Sequence, residues 1–437
     1  MLTITWIILF AFVVLSYWYY KRDLTGPHFL LCASLFLCFT MVCLNYSNWD
    51  IGTHGFSFTT MATFVVALFC FFIGTLSMRA LMSYHNAPIK DEINPGIMER
   101  THKNFPYLLF AIMSVILLIT YSVVKFTGVN FSSFSAFKSS LRELYEQEKT
   151  YNFITTQLFE ILVAIAYICL HRIMLMKFVH KEKISKNKLV FVPIVCFLIY
   201  ALLSTDRNIL IRFFIFGLLS FMSTYKWKES VFVRNRKLVI KVGIIGVVFA
   251  LFFWGFGKMK NYKSGFERAI GIYTGSGIYA YNLWLDDFNG GYTQGKQTFS
   301  SVQNTLAAFG IGEKSEVPSN AEFILYESPN GYTFETNIYS SFRPYYQDFG
   351  MFGVAIIPLL SGVLFEFLYL KSKRDKFGFW WVFYSSHVYP LIYYPIAEQF
   401  LKRFHLGLVY EMWWLVFLYF LVYAKNGLWR LKFTAQN

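Results

Sequence analysis

The chain has 437 residues, of which 56% are hydrophobic and only 15% charged, where an average soluble domain carries about 25% charged residues. So few charges cannot cover a water-exposed surface, which excludes a cytoplasmic enzyme, a disordered chain and a disulfide-knit secreted domain and points to a polytopic membrane protein. Forty Lys and Arg against 25 Asp and Glu give a net charge of +15, an excess that belongs to cytoplasmic loops rather than to nucleic-acid binding. Cys32, Cys38, Cys43, Cys70, Cys169 and Cys196 all lie in apolar runs without a CxxC pair, a pattern of inert thiols with no structural metal site.

A membrane span needs about 20 mostly apolar residues. Eleven stretches meet this, at 3–20, 28–45, 57–76, 106–124, 151–171, 189–204, 208–224, 238–256, 344–370, 379–396 and 407–424. The first has no basic segment ahead of it and ends in Trp18, Tyr19, Tyr20 and Lys21, an interfacial anchor rather than a cleavable leader. The sixth and seventh flank Thr205, Asp206 and Arg207 and read as a hairpin, since one helix through both would be too long for a single crossing. Loops 21–27, 77–105, 172–188, 225–237, 371–378 and the tail from 425 together hold 24 Lys and Arg, while loop 46–56 holds none. That bias predicts an amino terminus outside and a carboxyl terminus inside.

The expected organisation is a bundle of eight spans over 1–256, a large extracytoplasmic loop over 257–343, and three further spans over 344–437. A connection of that length has structure and function of its own. Within it, 271–281 is apolar and Gly-rich but too interrupted for a standard span, so a re-entrant or interfacial piece is expected; 284–334 is polar and rich in turn formers.

Ionisable groups in or at the membrane call for a functional explanation. Arg207 sits in the tightest turn, and Arg212 lies about 7 Å deeper on the next helix, four residues after Asn208. Arg212 needs a carboxylate, a carbonyl or a ligand oxygen brought to it in space. Pro344 marks a helix start, which places Arg343 at its mouth and Asp348 on its first turns. An acidic residue suits that end, but Arg343 opposes the helix dipole and calls for an anion to offset it. Arg268 precedes Tyr273, Tyr279 and Tyr281, with Trp284 beyond them beside Asp286 and Asp287; such rings either stack on sugar faces or form an interfacial belt. His387, in the tenth span, is a proton acceptor or a hydrogen-bonded bundle residue, and Pro390 and Pro395 kink or end its helix.

No GxxxxGK[ST], no GxGxxG in strand–helix context and no HExxH occurs, so nucleotide hydrolysis, dinucleotide and zincin chemistry are not indicated. Arginines gathered at one membrane face suit a phosphate-bearing lipid headgroup, because guanidinium binds phosphate oxygens in pairs and stays ionised. A polyprenyl pyrophosphate carrying a glycan would place its tail in the bundle, its pyrophosphate on the arginines and its sugars under the aromatic cap. Stabilising the leaving pyrophosphate is then electrostatic work that needs no metal.

The segment Asn337-Ile338-Tyr339 through Phe342-Arg343-Pro344-Tyr345-Tyr346-Gln347-Asp348-Phe349-Gly350-Met351-Phe352-Gly353 resembles the Asn-x-Tyr and Asp-Phe-Gly-xx-Gly pattern of bacterial oligosaccharide repeat-unit polymerases of the Wzy type. The turn at 204–208, the tract at 273–277 and the large loop before the last three spans are similar as well. The resemblance covers the layout of nearly the whole chain but only about 30 residues as motif. It implies a GT-C-like, all-α fold of about 11 transmembrane helices. It also implies metal-independent inverting glycosyl transfer without a cofactor, at the outer face of the bacterial cytoplasmic membrane. The substrates would be polyprenyl-pyrophosphate-linked oligosaccharides, and the product O-antigen or capsular polysaccharide. A flippase and a chain-length regulator would be partners beside the membrane lipids. Arg343, Asp348 and His387 would be catalytic, with Arg207, Arg212, Arg268, Tyr273, Asn337, Tyr339 and Tyr346 holding pyrophosphate or sugar. A transporter of lipid-linked oligosaccharide and an O-antigen ligase are the alternatives; a transporter would line a two-sided cavity with charge, whereas here the charges gather near one face.

Overall fold

The computed structural model describes residues 1–84, 105–126, 153–204, 207–225, 231–259, 266–317, 322–327, 333–375 and 377–423. The chain is predominantly helical. Among the described residues six helices are long and apolar enough to cross a membrane, namely Leu2–Tyr19, Pro27–Leu44, Phe58–Met82, Gln157–Val179, Asn187–Ser204 and Phe342–Arg374. Tyr107–Val123, Asn208–Thr224 and Leu406–Val422 are shorter apolar helices. These are the features of a polytopic membrane protein. The loop expected at 125–150 lies almost wholly outside the described residues.

The chain forms two compact units. The first comprises Met1–Asp91, Phe221–Arg374 and His387–His405. It contains α1 (Leu2–Tyr19), α2 (Pro27–Leu44) and α3 (Phe58–Tyr84). Its remaining long helices are α8 (Val231–Met259), α9 (Phe266–Asp286) and α11 (Phe342–Arg374). Pro27 opens α2 at a position whose N–H has no helical partner anyway. The tightest crossing in this unit is between α3 and α11. A Cβ on Gly74 would lie 2.1 Å from the Leu359 carbonyl oxygen, and one on Gly362 would lie 2.2 Å from that of Phe71. Glycine is required there because the two backbones touch.

The Gly-rich tract at 271–281 is not interrupted: it lies inside the single helix α9, with Ile278, Tyr279, Ala280, Tyr281 and Asn282 fully buried. Its glycines serve packing. A Cβ on Gly277 would come within 2.7 Å of the Pro395 carbonyl, and one on Gly275 within 2.9 Å of the Trp49 ring. Asn282 Oδ1 accepts from the Ser57 N–H at 2.9 Å and the Thr60 hydroxyl at 3.0 Å, fixing α9 to the start of α3. Beyond α9 come the short helix α10 (Ser300–Ala308) and an antiparallel pair of strands, β1 (Ile324–Glu327) and β2 (Thr333–Thr336), with Ile324 opposite Thr336.

The second unit comprises Glu92–Ser220, Asp375–Ser386 and Leu406–Asn437. It holds α4 (Tyr107–Phe126), α5 (Phe153–Met174), α6 (Val192–Ser204), most of α7 (Arg207–Thr224), most of α12 (Phe379–His387) and α14 (Leu406–Tyr423). The α6–α7 segment is a hairpin, as expected. The rings of Phe197 and Phe213 meet at 4.5 Å between centroids, whereas in one continuous helix they would be about 24 Å apart. Arg172, at 0% exposure, is held by the Tyr107 hydroxyl at 3.2 Å from both its Nε and Nη2. The Trp414 indole donates to Gln157 at 2.6 Å, joining α14 to α5.

Candidate functional site

The site is built at the first turn of α11, in the first unit. The preceding segment is pinned by its serines: Ser340 N–H donates to the Gly277 carbonyl at 3.0 Å, Ser341 N–H to that of Tyr394 at 2.8 Å, and the Ser341 hydroxyl to that of Ala397 at 3.1 Å. Arg343 then enters an aromatic box. Its guanidinium carbon lies 4.0 Å from the Tyr339 ring centre and 5.2 Å from that of Trp284. Trp284 stacks in turn on Tyr281 and meets Phe288, and Phe288 meets Tyr346. Rings supply quadrupolar attraction to a cation but no charge to neutralise it.

The Arg343 side chain is only 12% exposed, and its ion pair with Glu322 is long, at 3.9 Å, to a carboxylate that is 89% exposed. Such a rim pair contributes little. Arg343 Nη1 is buried and donates to no group among the described residues. A buried charged donor left in that condition is costly, and an anion of the right shape would remove the cost. Lys402 adds a second positive charge. Burial pulls its ammonium below the ordinary lysine range, Glu398 opposes this, and Arg343 adds to it. The Glu398 carboxylate is itself committed to four donors: the Tyr345 hydroxyl at 2.9 Å and the N–H groups of Phe400, Leu401 and Lys402 at 2.7–2.8 Å.

Asp348 is buried on the same helix, and its carboxylate accepts from the Thr293 hydroxyl, from Gln297 N–H at 3.2 Å and from Thr298 N–H at 2.6 Å. The Thr298 hydroxyl returns to the Pro344 carbonyl at 3.1 Å. Asp348 thereby ties the 293–298 loop to the start of α11. Two residues later Gly350 breaks the helix at φ +60°, ψ −146°, a conformation open essentially to glycine alone. The Asp-Phe-Gly-xx-Gly motif is therefore a fastened and kinked helix start.

The other expected site residues fall as follows. Tyr339 and Tyr346 belong to the aromatic box or its wall, and Asn337 is half-buried just ahead of it. Tyr273 is half-buried on α9. His387 ends α12, ahead of the break at Val388, and α13 (Tyr389–Tyr393) resumes with Pro390 in its first turn. Arg207 begins α7 and Arg268 lies in α9, but the side chains of both are outside the described residues. Arg212, in the second unit, is 5% exposed and donates to both carboxylate oxygens of Glu411, which is 1% exposed. The carboxylate it required is thus a residue of the protein.

Sequence reasoning placed Glu398 on the outer connection and gave no site role to it, to Glu411 or to Glu366. Each is a carboxylate in or beside an apolar run, and that alone was a signal. Glu366, fully buried in α11, accepts from the Tyr20 hydroxyl at 2.6 Å and from Arg79 at 2.6 and 2.9 Å. Nearby, Asp23 pairs with Lys373 and accepts from the Tyr369 hydroxyl and from Thr25. Among the described residues no group of three or more His, Cys, Asp or Glu side chains is placed to hold a metal ion.

Fold and site together define a predominantly helical, polytopic membrane protein with a largely enclosed arginine in an aromatic box at the start of one long kinked helix. No family model, no curated protein and no solved structure matches the chain.

Proposed function

We propose that the chain is a membrane glycosyltransferase that joins polyprenyl-pyrophosphate-linked oligosaccharide units, in the manner of the repeat-unit polymerases its 337–353 segment resembles. The observation that carries the reading is Arg343, held between two rings, only 12% exposed and with Nη1 lacking an acceptor among the described residues. Guanidinium presents paired donors that fit phosphate oxygens. Lys402 beside it suits a doubly charged group such as pyrophosphate, and the wall of Tyr281, Trp284, Phe288 and Tyr346 offers faces on which sugar rings pack.

In this proposal the non-reducing-end hydroxyl of one lipid-linked unit attacks the anomeric carbon of the glycan on a second lipid. A C–O bond forms with inversion, the bond to pyrophosphate breaks, and the negative charge growing on the leaving group is met by Arg343. The hydroxyl proton goes to His387 or Asp348. Asp348 already accepts three hydrogen bonds, which favours a positioning role for it. The bundle has eleven crossings, with the site at the outer face of the bacterial cytoplasmic membrane.

The test is conversion of purified lipid-linked repeat unit into polymer ladders, with a chelator present. The proposal expects ladders from the wild-type protein and none from correctly folded Arg343→Ala or Arg207→Ala variants. Undiminished ladders from both variants would remove it.

A further inference from the structure

In the polar connection beyond α9, residues 297–312 contain no Asp, Glu, Lys or Arg, and charge resumes only at Glu313 and Lys314. Within this uncharged stretch Phe299 stands just ahead of α10, and Val302, Leu306 and Phe309 follow at spacings of three or four. That spacing puts the four side chains on one face of the helix and Ser300, Ser301 and Asn304 on the other. The protein holds the polar face. Ser300 is buried, Asn304 Oδ1 accepts from the Ser315 N–H at 2.8 Å, and the Thr305 hydroxyl donates to the Phe404 carbonyl at 3.3 Å. The apolar face is turned out: Phe299, Leu306 and Phe309 are all exposed, Phe309 at 67%. A helix packed on a protein in water has these two faces the other way round.

The end of α10 enlarges the apolar face. Gly310 N–H donates to the Ala307 carbonyl and Ile311 N–H to that of Leu306, each at 3.0 Å, with Gly310 at φ +79°. This is the left-handed helix stop that glycine permits, and it turns Ile311 back toward Leu306. Ile311 is exposed as well. The face also joins surface that already belongs to lipid. On the membrane-spanning α11, Phe352, Ile356, Leu360 and Leu364 recur every fourth residue and are all exposed, a row that meets hydrocarbon. At the start of that helix the Phe349 ring meets the Phe299 ring, with 6.3 Å between centroids. Gly295, at φ +92°, makes room for the pair, since a Cβ there would come within 3.1 Å of Phe299 and 3.2 Å of Phe349. Exposed apolar surface thus passes from α11 to α10 through the Phe349–Phe299 contact.

We infer that α10 is an interfacial helix: Phe299, Leu306, Phe309 and Ile311 are seated among the acyl chains of the bilayer, in the leaflet at the Phe342 end of α11. The occupant of the exposed face is membrane phospholipid. A free-standing surface helix needs a charged face toward water. The polar face of α10 is bonded to the protein instead, which accounts for the absence of charge over 297–312. The inference rests on the membrane fold and does not depend on the glycosyl-transfer reading.

The test is photo-crosslinking of the full-length protein in phosphatidylcholine nanodiscs, with p-benzoylphenylalanine placed singly at Phe309, Leu306 or Glu313 and the products weighed by intact mass spectrometry. All three positions are exposed, so the probe displaces no core side chain. An adduct of phospholipid mass is expected from the probes at Phe309 and Leu306 and not from the probe at Glu313. Crosslinks from both apolar positions to the protein itself or to a second copy of it in place of lipid, or lipid yields no higher than at Glu313, would overturn the inference.

Discussion

Arg212 and Arg343 look alike in sequence, each a cation set against an apolar helix, yet the two units treat them oppositely. In the second unit Arg212 is closed onto both oxygens of Glu411, and both side chains are buried. In the first unit Arg343 is stacked on Tyr339 and Trp284, and its carboxylate partner is distant, at 3.9 Å, and exposed. A buried pair with both partners in the chain has its charge neutralised as folded. A largely enclosed cation on aromatic rings still lacks a close counter-charge. The difference separates a structural arginine from a binding one, and it is invisible until Glu411 is placed.

The sharpest way to break this comparison is at Arg212. Arg212→Ala leaves Glu411 buried without its cation, and the loss of stability should be about 3–5 kcal/mol, read from thermal unfolding in detergent. Replacing both, Arg212→Leu with Glu411→Leu, should recover most of it, because well-packed apolar residues substitute for a buried pair at little net cost. If the double variant is also active, Arg212 has no part in binding substrate. If it folds but is dead, the division drawn here is wrong.

Arg343 should behave in reverse. Arg343→Ala should leave thermal stability near that of the wild type while lowering the rate of glycan elongation by about 10²–10³-fold, the usual effect of removing one donor to a developing anion. Arg343→Lys, with a point charge in place of paired donors, should recover only part of that loss.

Two smaller effects concern the scaffold on which Arg343 is mounted. At the α3–α11 crossing a Cβ on Gly362 would sit 2.2 Å from a backbone oxygen, so Gly362→Leu should cost at least about 1–3 kcal/mol and lower activity only as far as folded protein is lost. At the far end of α11, burial acts to raise the Asp23 carboxyl, but Lys373 and Thr25 prevail and hold it below its ordinary range. A carboxylate depressed in the folded state stabilises it above the unfolded pKa, and that contribution fades as pH falls toward the folded value. The melting-temperature difference between wild type and Asp23→Asn should therefore be largest near neutrality and shrink below about pH 4. A difference constant with pH would show that Asp23 acts only through its shape.

Much of the helical layout was legible in advance, for reasons particular residues make plain. Apolar runs as long as 2–19, 27–44 and 58–82 can do little else than form helices, and the Thr205-Asp206-Arg207 turn announced a hairpin that Phe197 and Phe213 complete. Pro344 and Pro390 marked a helix start and a helix break. The 271–281 tract misled because its glycines looked like interruptions, whereas they admit Trp49 and the Pro395 carbonyl to an intact helix. Gly350 gave no signal of its own, since only its positive φ reveals the kink. The site was half legible. Arg343 stood out through its conflict with the helix dipole, but its box depends on Trp284, brought from a different helix, and its second charge on Lys402, brought from a connection that has no pattern of its own.

The central claim is that Arg343 takes the pyrophosphate of a lipid carrier, and direct binding tests it without reference to catalysis. Titrating polyprenyl pyrophosphate and the corresponding uncharged polyprenol into purified protein should show the pyrophosphate binding far more tightly to the wild type, with that preference collapsing by about 10–100-fold in Arg343→Ala, as expected for loss of a charge-assisted contact of about 1.5–3 kcal/mol. An unchanged preference in a folded Arg343→Ala protein would contradict the account.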